Sequence, residues 1–210
     1  MPFKAKQLSQ KEEINKQYLI GYELAYETKS KQIPWKKIFE LWHNAASHGH
    51  VRAQFEIGVC YDLGRGVRKN MPLAFKWYLL AARNGHTVAQ YNVGFSYKKG
   101  DLTKQDFKKA VYWYSLAAKQ GDGEAFRELG YLHFHGIGVK QSFKKGVFWY
   151  KKAAAKNDDK AIYNLGLCYK YGEGVKQSNR WAKHYFKKAH LLGHPDAQFR
   201  LNELLKTKAV

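Results

Sequence analysis

Acidic residues, cysteine, proline and long apolar runs are all scarce in this 210-residue chain. Two cysteines, Cys60 and Cys168, are too few to staple a scaffold of this length. They stand in no CxxC or Cys/His cluster, which excludes a disulfide framework and a cysteine-based zinc site and leaves two reduced core thiols. Only four prolines accompany 45% hydrophobic residues, so the composition is that of a folded chain and excludes a disordered one. No stretch approaches the roughly 20 apolar residues that cross a bilayer, and Met1–Gln17 mixes charges without an apolar core. A membrane-spanning or classically secreted protein is therefore not expected, and the sequence points to the cytoplasm. Seventeen Asp and Glu face thirty-seven Lys and Arg, a formal +20. That field suits nucleic acid, an acidic protein or an anionic membrane surface, and by itself chooses none of them.

What is abundant is periodic. Ala53, Ala89, Ala125, Ala161 and Ala197 lie 36 residues apart, as do Gly58, Gly94, Gly130 and Gly166, and Gly64, Gly100, Gly136 and Gly172. The same interval links the pairs Trp77-Tyr78, Trp113-Tyr114 and Trp149-Tyr150. Within a unit, Ala53, Ile57, Gly58 and Tyr61 form one stripe at helical spacing, which predicts a helix A. Paired glycines then break the pattern at Gly64-Arg65-Gly66-Val67, Gly136-Ile137-Gly138-Val139 and Gly172-Glu173-Gly174-Val175. Asn70, Asp106, Ser142 and Ser178 follow in register as N-caps of a helix B, whose apolar face carries Ala74, Trp77, Tyr78, Ala81 and Ala82. Gly85, Gly121, Asn157 and Gly193 mark its end. The boundaries read as a charged segment 1–15, a degenerate repeat 16–52, repeats 53–88, 89–124, 125–160 and 161–196, and a capping helix 197–210, all in one domain.

These motifs resemble the Sel-one-like repeat (SLR) family, relatives of the tetratricopeptide repeats. The pattern Ala-x-x-x-Leu-Gly-x-x-Tyr-x-x-Gly-x-Gly-Val is met at Ala161–Val175, and Ala-x-x-Trp-Tyr-x-x-Ala-Ala-x-x-Gly at Ala74–Gly85. Departures are Leu102-Thr103 in the second turn, His133 for a helix A Tyr, Gly146 for an Ala, and Trp181, Tyr185 and Phe186 in the fourth aromatic cluster. The resemblance implies an all-α fold, a right-handed α-α superhelix (α-solenoid) of about eleven helices stacked as antiparallel pairs. It also implies an adaptor or scaffold for proteins without enzymatic activity, metal or cofactor. Small members without export signals include bacterial immunity proteins, which neutralise a toxic effector by complex formation.

In such a stack the A helices line a concave wall, and the positions opposite their core stripe are the expected ligand groove. They hold Phe55, Tyr91, Phe95, Lys98, Arg127, Tyr131, Phe134, His135, Tyr163, Leu167, Lys170 and Tyr171, aromatic with basic edges, which suits anchors for a partner protein. The competing reading is that these aromatics only fill space between neighbouring A helices. On the convex side Lys144 and Lys151, and Arg180, Lys183 and Lys187, form basic stripes. Between Lys140 and His190 thirteen Lys or Arg oppose three acids, half of the net charge. The stripes offer an alternative function in binding nucleic acid or an anionic surface. Against it stand the absence of a nucleic-acid motif and the assignment of the aromatics to repeat packing. Ser142-Phe143-Lys144-Lys145 has the SxxK spacing of penicillin-recognising enzymes, but Ser142 is the repeat's cap and no SDN or KTG follows. His133 and His135 point about 200° apart on a helix and share no metal. The expectation is a monomer that binds an acidic protein.

Overall fold

A computed structural model describes residues 2–27 and 32–206. The described residues form eleven α-helices and no strand. These are α1 (Pro2–Tyr22), extended by a π-helical turn at Glu23–Glu27, α2 (Trp35–Ser47), α3 (Val51–Leu63), α4 (Met71–Arg83), α5 (Thr87–Lys99), α6 (Phe107–Lys119), α7 (Gly123–His135), α8 (Phe143–Ala154), α9 (Asp159–Tyr171), α10 (Asn179–Leu191) and α11 (Ala197–Lys206). Odd-numbered helices are the A helices of the repeat and even-numbered ones the B helices. Two compact units result. One runs through Ser96 and includes Gly100–Lys104; the other joins Tyr97–Lys99 to the residues from Gln105 onward.

The punctuation read from the sequence works locally as expected. Each A helix from α3 to α9 ends on a glycine in the left-handed region, Gly64, Gly100, Gly136 or Gly172, with φ of 70–77°. Each B helix from α4 to α10 starts on a side chain that accepts from the third backbone N–H beyond it. The bonds are Leu73 N–H to Asn70 at 3.0 Å, Lys109 to Asp106 at 2.9 Å, Lys145 to Ser142 and Trp181 to Ser178 at 3.3 Å. Asn157 takes φ of 60°, as its place in the glycine row requires. The second glycines, Gly66, Gly138 and Gly174, share the left-handed region at φ of 71–75° and have a further reason. A Cβ on Gly66 would lie 2.1 Å from the Trp35 carbonyl oxygen, and one on Gly174 2.5 Å from that of Phe143. These turns thus lie flush on the first residue of the preceding B helix. Leu102 occupies the corresponding place in the second repeat, and a pocket of about 220 Å³ opens there between Leu102 and Met71.

Inside a repeat, the A-helix glycine receives a ring from the B helix. A Cβ on Gly58 would come within 2.5 Å of the Tyr78 ring, on Gly130 within 2.5 Å of Tyr150, and on Gly166 within 2.5 Å of Phe186. The degenerate first repeat does the same with Gly21 and the Trp42 indole, whose Nε1–H donates to the Tyr18 carbonyl at 3.2 Å. What lies on Gly58 is thus an aromatic ring laid on bare backbone.

Between repeats, a second row at the same period holds the A helices together. His50, His86, Asp122 and Asp158 cap α3, α5, α7 and α9, accepting from the N–H groups of Ala53, Ala89, Ala125 and Ala161 at 3.1, 3.2, 2.7 and 2.7 Å. His194 is the fifth member and accepts from Asp196 N–H at 3.3 Å. His50, His86, Asp158 and His194 also meet a residue of the preceding A helix. In the first unit His50 stacks on Tyr18 at 4.3 Å and His86 on Phe55 at 4.5 Å. In the second, Asp158 takes an ion pair from Arg127 at 2.8 Å and His194 stacks on Tyr163 at 4.1 Å. In these four contacts the histidines stack on aromatic rings and the aspartate pairs with arginine.

Two predictions follow from these contacts. Alanine at Gly130 gains up to about 1 kcal/mol of helix propensity but must displace the buried Tyr150 ring, at a cost of about 1–3 kcal/mol. Gly130→Ala is therefore expected to melt lower than wild type, whereas Gly123→Ala, facing only the Lys156 side chain at 3.4 Å, is not. Thermal melts of the two variants decide it. The histidine caps accept hydrogen bonds only when neutral, and burial, followed by the Arg52 charge, holds His50 and His86 below the usual histidine pKa. Their stabilising effect is thus complete above an unfolded-state pKa near 6.5 and is lost as pH falls below it. Melting between pH 7.5 and 5.5 should reveal this loss, about 1 kcal/mol per cap, and the His50→Asn/His86→Asn variant, which keeps an acceptor without a titration, should lose less.

Candidate interaction site

The expected groove residues fall into both units. Phe55, Tyr91 and Phe95 belong to the first, where Phe55 is sandwiched by His86 and by Tyr78 at 5.5 Å. Tyr91 and Phe95 stack on each other at 6.5 Å, and Phe95 helps line the pocket beside Leu102. Lys98, Arg127, Tyr131, Phe134, His135, Tyr163, Leu167, Lys170 and Tyr171 belong to the second unit, where the structure sorts them into two groups.

The first group is committed to neighbouring A helices. Lys98 Nζ pairs with Glu128 at 2.6 Å, and Arg127 bridges Asp158 and Glu128. Lys170 Nζ pairs with Glu203 at 2.5 Å, and Arg200 bonds both Glu203 and the Tyr163 hydroxyl. Burial works against the charge on Lys170, yet hydrogen bonds with Glu203 and Tyr171 carry its pKa above the ordinary lysine value. Lys170 and Arg200 in turn hold the Glu203 carboxyl below its usual range. These residues are the mortar of the stack, with half-buried side chains and local charge compensation.

The second group surrounds an opening. Tyr131, Phe134, His135, Leu167 and Tyr171 line a pocket of about 300 Å³ between α7, α8 and α9, with Tyr150, Asn164, Cys168 and Glu173 completing it. Tyr131 and Tyr171 stand at the mouth, 40% and 55% exposed, each with a lysine ammonium over its ring, Lys98 at 5.4 Å and Lys170 at 5.1 Å. Phe134 forms the wall, edge-on to Phe143 at 4.8 Å and tilted against Tyr150 at 6.2 Å. Its place depends on a departure from the repeat: a Cβ on Gly146 would lie 2.9 Å from Phe134 Cβ. Repeats that have alanine at this position carry Asp62, Lys98 or Lys170 where Phe134 stands. Gly146 and Phe134 are one substitution in two parts, and together they make the pocket aromatic.

The chemistry of the pocket is that of contact. Cys168 at its base is buried and its thiol is pushed up to about 12 by that burial, so it carries no thiolate near neutral pH. Ser142 Oγ is occupied as the α8 cap. Among the described residues no group of three His, Cys, Asp or Glu could hold a metal ion.

The basic residues of the stripes lie on α8 and α10. Lys144, Lys151, Arg180, Lys183 and Lys187 are all exposed, and none takes part in an ion pair with a described residue. Three aromatics on the B helices α6, α8 and α10 are nonetheless largely exposed. Tyr112, Phe148 and Trp181 are 58%, 52% and 48% exposed. No described helix is long and apolar enough to cross a membrane.

Comparison with known proteins agrees with this architecture. The Sel1 repeat model matches residues 51–86, 87–122, 124–158 and 159–194. No curated protein matches the chain. Among solved structures, a Sel1 repeat protein from Oxalobacter formigenes is 35% identical, with 89% of this chain and 72% of that one covered at a TM-score of 0.80. A protective antigen of uropathogenic Escherichia coli displaying an SLR fold is 30% identical over 93% of this chain at a TM-score of 0.85, and this chain spans 42% of that antigen's length. Helicobacter pylori cysteine-rich protein B, 24% identical over 61% of this chain and 95% of its own, shares the fold at a TM-score of 0.51. With four repeat matches over most of its length, on the glycine, alanine and aromatic positions that build its helix pairs, the chain belongs to the Sel1 repeat family.

Proposed function

We propose that the chain is a non-enzymatic protein-binding module that holds a partner on the A-helix side of its second unit, with the Tyr131–Phe134–Leu167–Tyr171 pocket as the anchor. The observation that carries this reading is the Gly146/Phe134 departure. The repeat gives up a packing methyl in α8 where Phe134 packs, and Phe134 walls an aromatic cavity of about 300 Å³ with two exposed tyrosines at its rim. Aromatic pockets of this kind take one large apolar side chain, and anchors of that type dominate protein–protein affinity. The +20 charge supports an acidic partner, which long-range attraction would bring in faster. Neutralisation of a toxic effector, the narrower role that the family resemblance implies, is one form of the same act of binding. Working as a single chain in the cytoplasm completes this reading.

The test separates binding from folding. Tyr131→Ala/Tyr171→Ala removes two exposed rings and should leave the melting temperature within the range of surface substitutions. Titration calorimetry with the partner recovered by affinity capture at moderate salt should show at least about a tenfold loss of affinity, the size expected of a hot-spot pair. Gly146→Ala, which crowds Phe134, should weaken binding in the same direction. Unchanged affinity in both variants would remove the pocket from the interface.

A further inference from the structure

The outward faces of α6, α8 and α10 carry a pattern that packing does not require. These three consecutive B helices hold eleven Lys and Arg and not one Asp or Glu within their spans. The charges are ordered. Lys108, Lys144 and Arg180 recur at the 36-residue period, all exposed, and one helical turn further on stand Tyr112, Phe148 and His184, exposed as well. Each of these rings is braced edge-on against the ring that follows it. The pairs are Tyr112 with Trp113 at 5.2 Å and 78°, Phe148 with Trp149 at 5.0 Å and 73°, and His184 with Tyr185 at 5.2 Å and 81°. A third row, Lys151 and Lys187, follows on α8 and α10, and Lys152 Nζ lies 5.6 Å from the Phe148 centroid. The second unit therefore presents, once per repeat, an exposed cation, an exposed ring braced by its neighbour, and on two of the three helices a further cation; His184 is braced by Trp181 as well, at 5.4 Å.

We propose that this face binds single-stranded nucleic acid, with Lys108, Lys144 and Arg180 on the phosphates and bases stacked on Tyr112, Phe148 and His184. Cations alone would serve any polyanion, and the ring row decides among them. Tyr, Phe and His all stack on unpaired bases, and every base offers a π-face, so such a row binds without a sequence motif. A duplex hides those faces and would leave the rings idle. A bilayer surface favours contiguous apolar side chains, whereas here each ring is fenced by cations on its own helix and the third member is a histidine. An acidic protein would satisfy the lysines, but one cation and one ring per repeat match the regular phosphate–base alternation of a single strand more closely than an irregular protein surface.

The experiment is fluorescence anisotropy of the full chain with a labelled oligouridylate of about 12 nucleotides, inside the usual site size. Binding is expected at about 150 mM salt, with affinity falling linearly in log–log against salt. Tyr112→Ala/Phe148→Ala should weaken it at least about tenfold while leaving the salt slope unchanged, since stacking releases no counterions. Tyr112→Phe/Phe148→Tyr keeps both rings and should bind as wild type. Lys108→Ala/Lys144→Ala should lower the slope by about 0.7 for each cation removed. A thermal melt of every variant guards against unfolding. Absence of binding at this salt overturns the proposal. So does a duplex bound as tightly as the single strand, or a ring-deleted variant that binds unchanged, either of which reduces the face to generic attraction for polyanions. Binding to phosphatidylserine vesicles without binding to the oligonucleotide assigns the face to a lipid surface and also overturns it.

Discussion

A ring laid on a bare glycine is the contact on which each repeat depends. Helix propensity disfavours Gly58, Gly130 and Gly166 by about 1 kcal/mol each relative to alanine, yet the missing methyl lets Tyr78, Tyr150 and Phe186 lie directly on A-helix backbone. Burying a ring of this size contributes more than the propensity loss, about 1.5–3 kcal/mol. The same contact sets how near the two helices come. Gly21 and Trp42 show that the identity of the ring is secondary. Tyrosine, phenylalanine or tryptophan can fill the seat, which is how the first repeat drifts from the pattern and still pairs its helices.

Stacking one repeat on the next uses other atoms. The capping residues His50, His86, Asp158 and His194 face two ways, accepting a backbone N–H and meeting a side chain of the A helix before. Asp158 does so with two oxygens, one on Ala161 N–H at 2.7 Å and one on Arg127 at 2.8 Å. His86 does so with a ring nitrogen on Ala89 and a ring face on Phe55. This double use has a functional consequence. It consumes the inner residues of the expected groove, Phe55, Arg127 and Tyr163, and the ion pairs to Glu128 and Glu203 likewise occupy Lys98 and Lys170. The residues with surface to spare are those around Phe134, where the repeat gave up its alanine.

The extent to which this was legible in the sequence follows from the physics of each signal. Identical residues at a fixed interval announce themselves, so the alanine, glycine and Trp-Tyr rows yielded the helices, their order and their turns. The cap row His50, His86, Asp122, Asp158, His194 has the same period but two residue types, and only its shared ability to accept a hydrogen bond unites it. The signal that could have exposed it was the constant offset of 31 that sets His86 from Phe55, Asp158 from Arg127 and His194 from Tyr163. Gly146 was visible as a departure, but its meaning lies in Phe134, twelve residues earlier, and only the fold brings the two together. Tyr112 and Phe148 were hidden by adjacency: beside a Trp-Tyr pair they read as more core, while the helix turns them outward.

Charge is partitioned between the two kinds of helix, and this limits what it can do. On the second unit's A helices Glu128 of α7 and Glu203 of α11, with the α9 cap Asp158, sit in ion pairs with Lys98, Arg127, Lys170 and Arg200. α6, α8 and α10 carry no acid within their spans, and the α6 cap Asp106 pairs with Lys109 alone, at 3.4 Å. A helix with its side chains is about 10–12 Å across, whereas the screening length at physiological ionic strength is about 8 Å. B-face lysines therefore act only weakly on a partner seated against the A helices, and chiefly by speeding encounter at low salt. Holding at the A-side pocket must come from apolar burial, which governs dissociation. The uncompensated cations exert their full effect only on a ligand that lies against the B helices, and a charge excess built solely for solubility would have no need of the repeat register that Lys108, Lys144 and Arg180 keep.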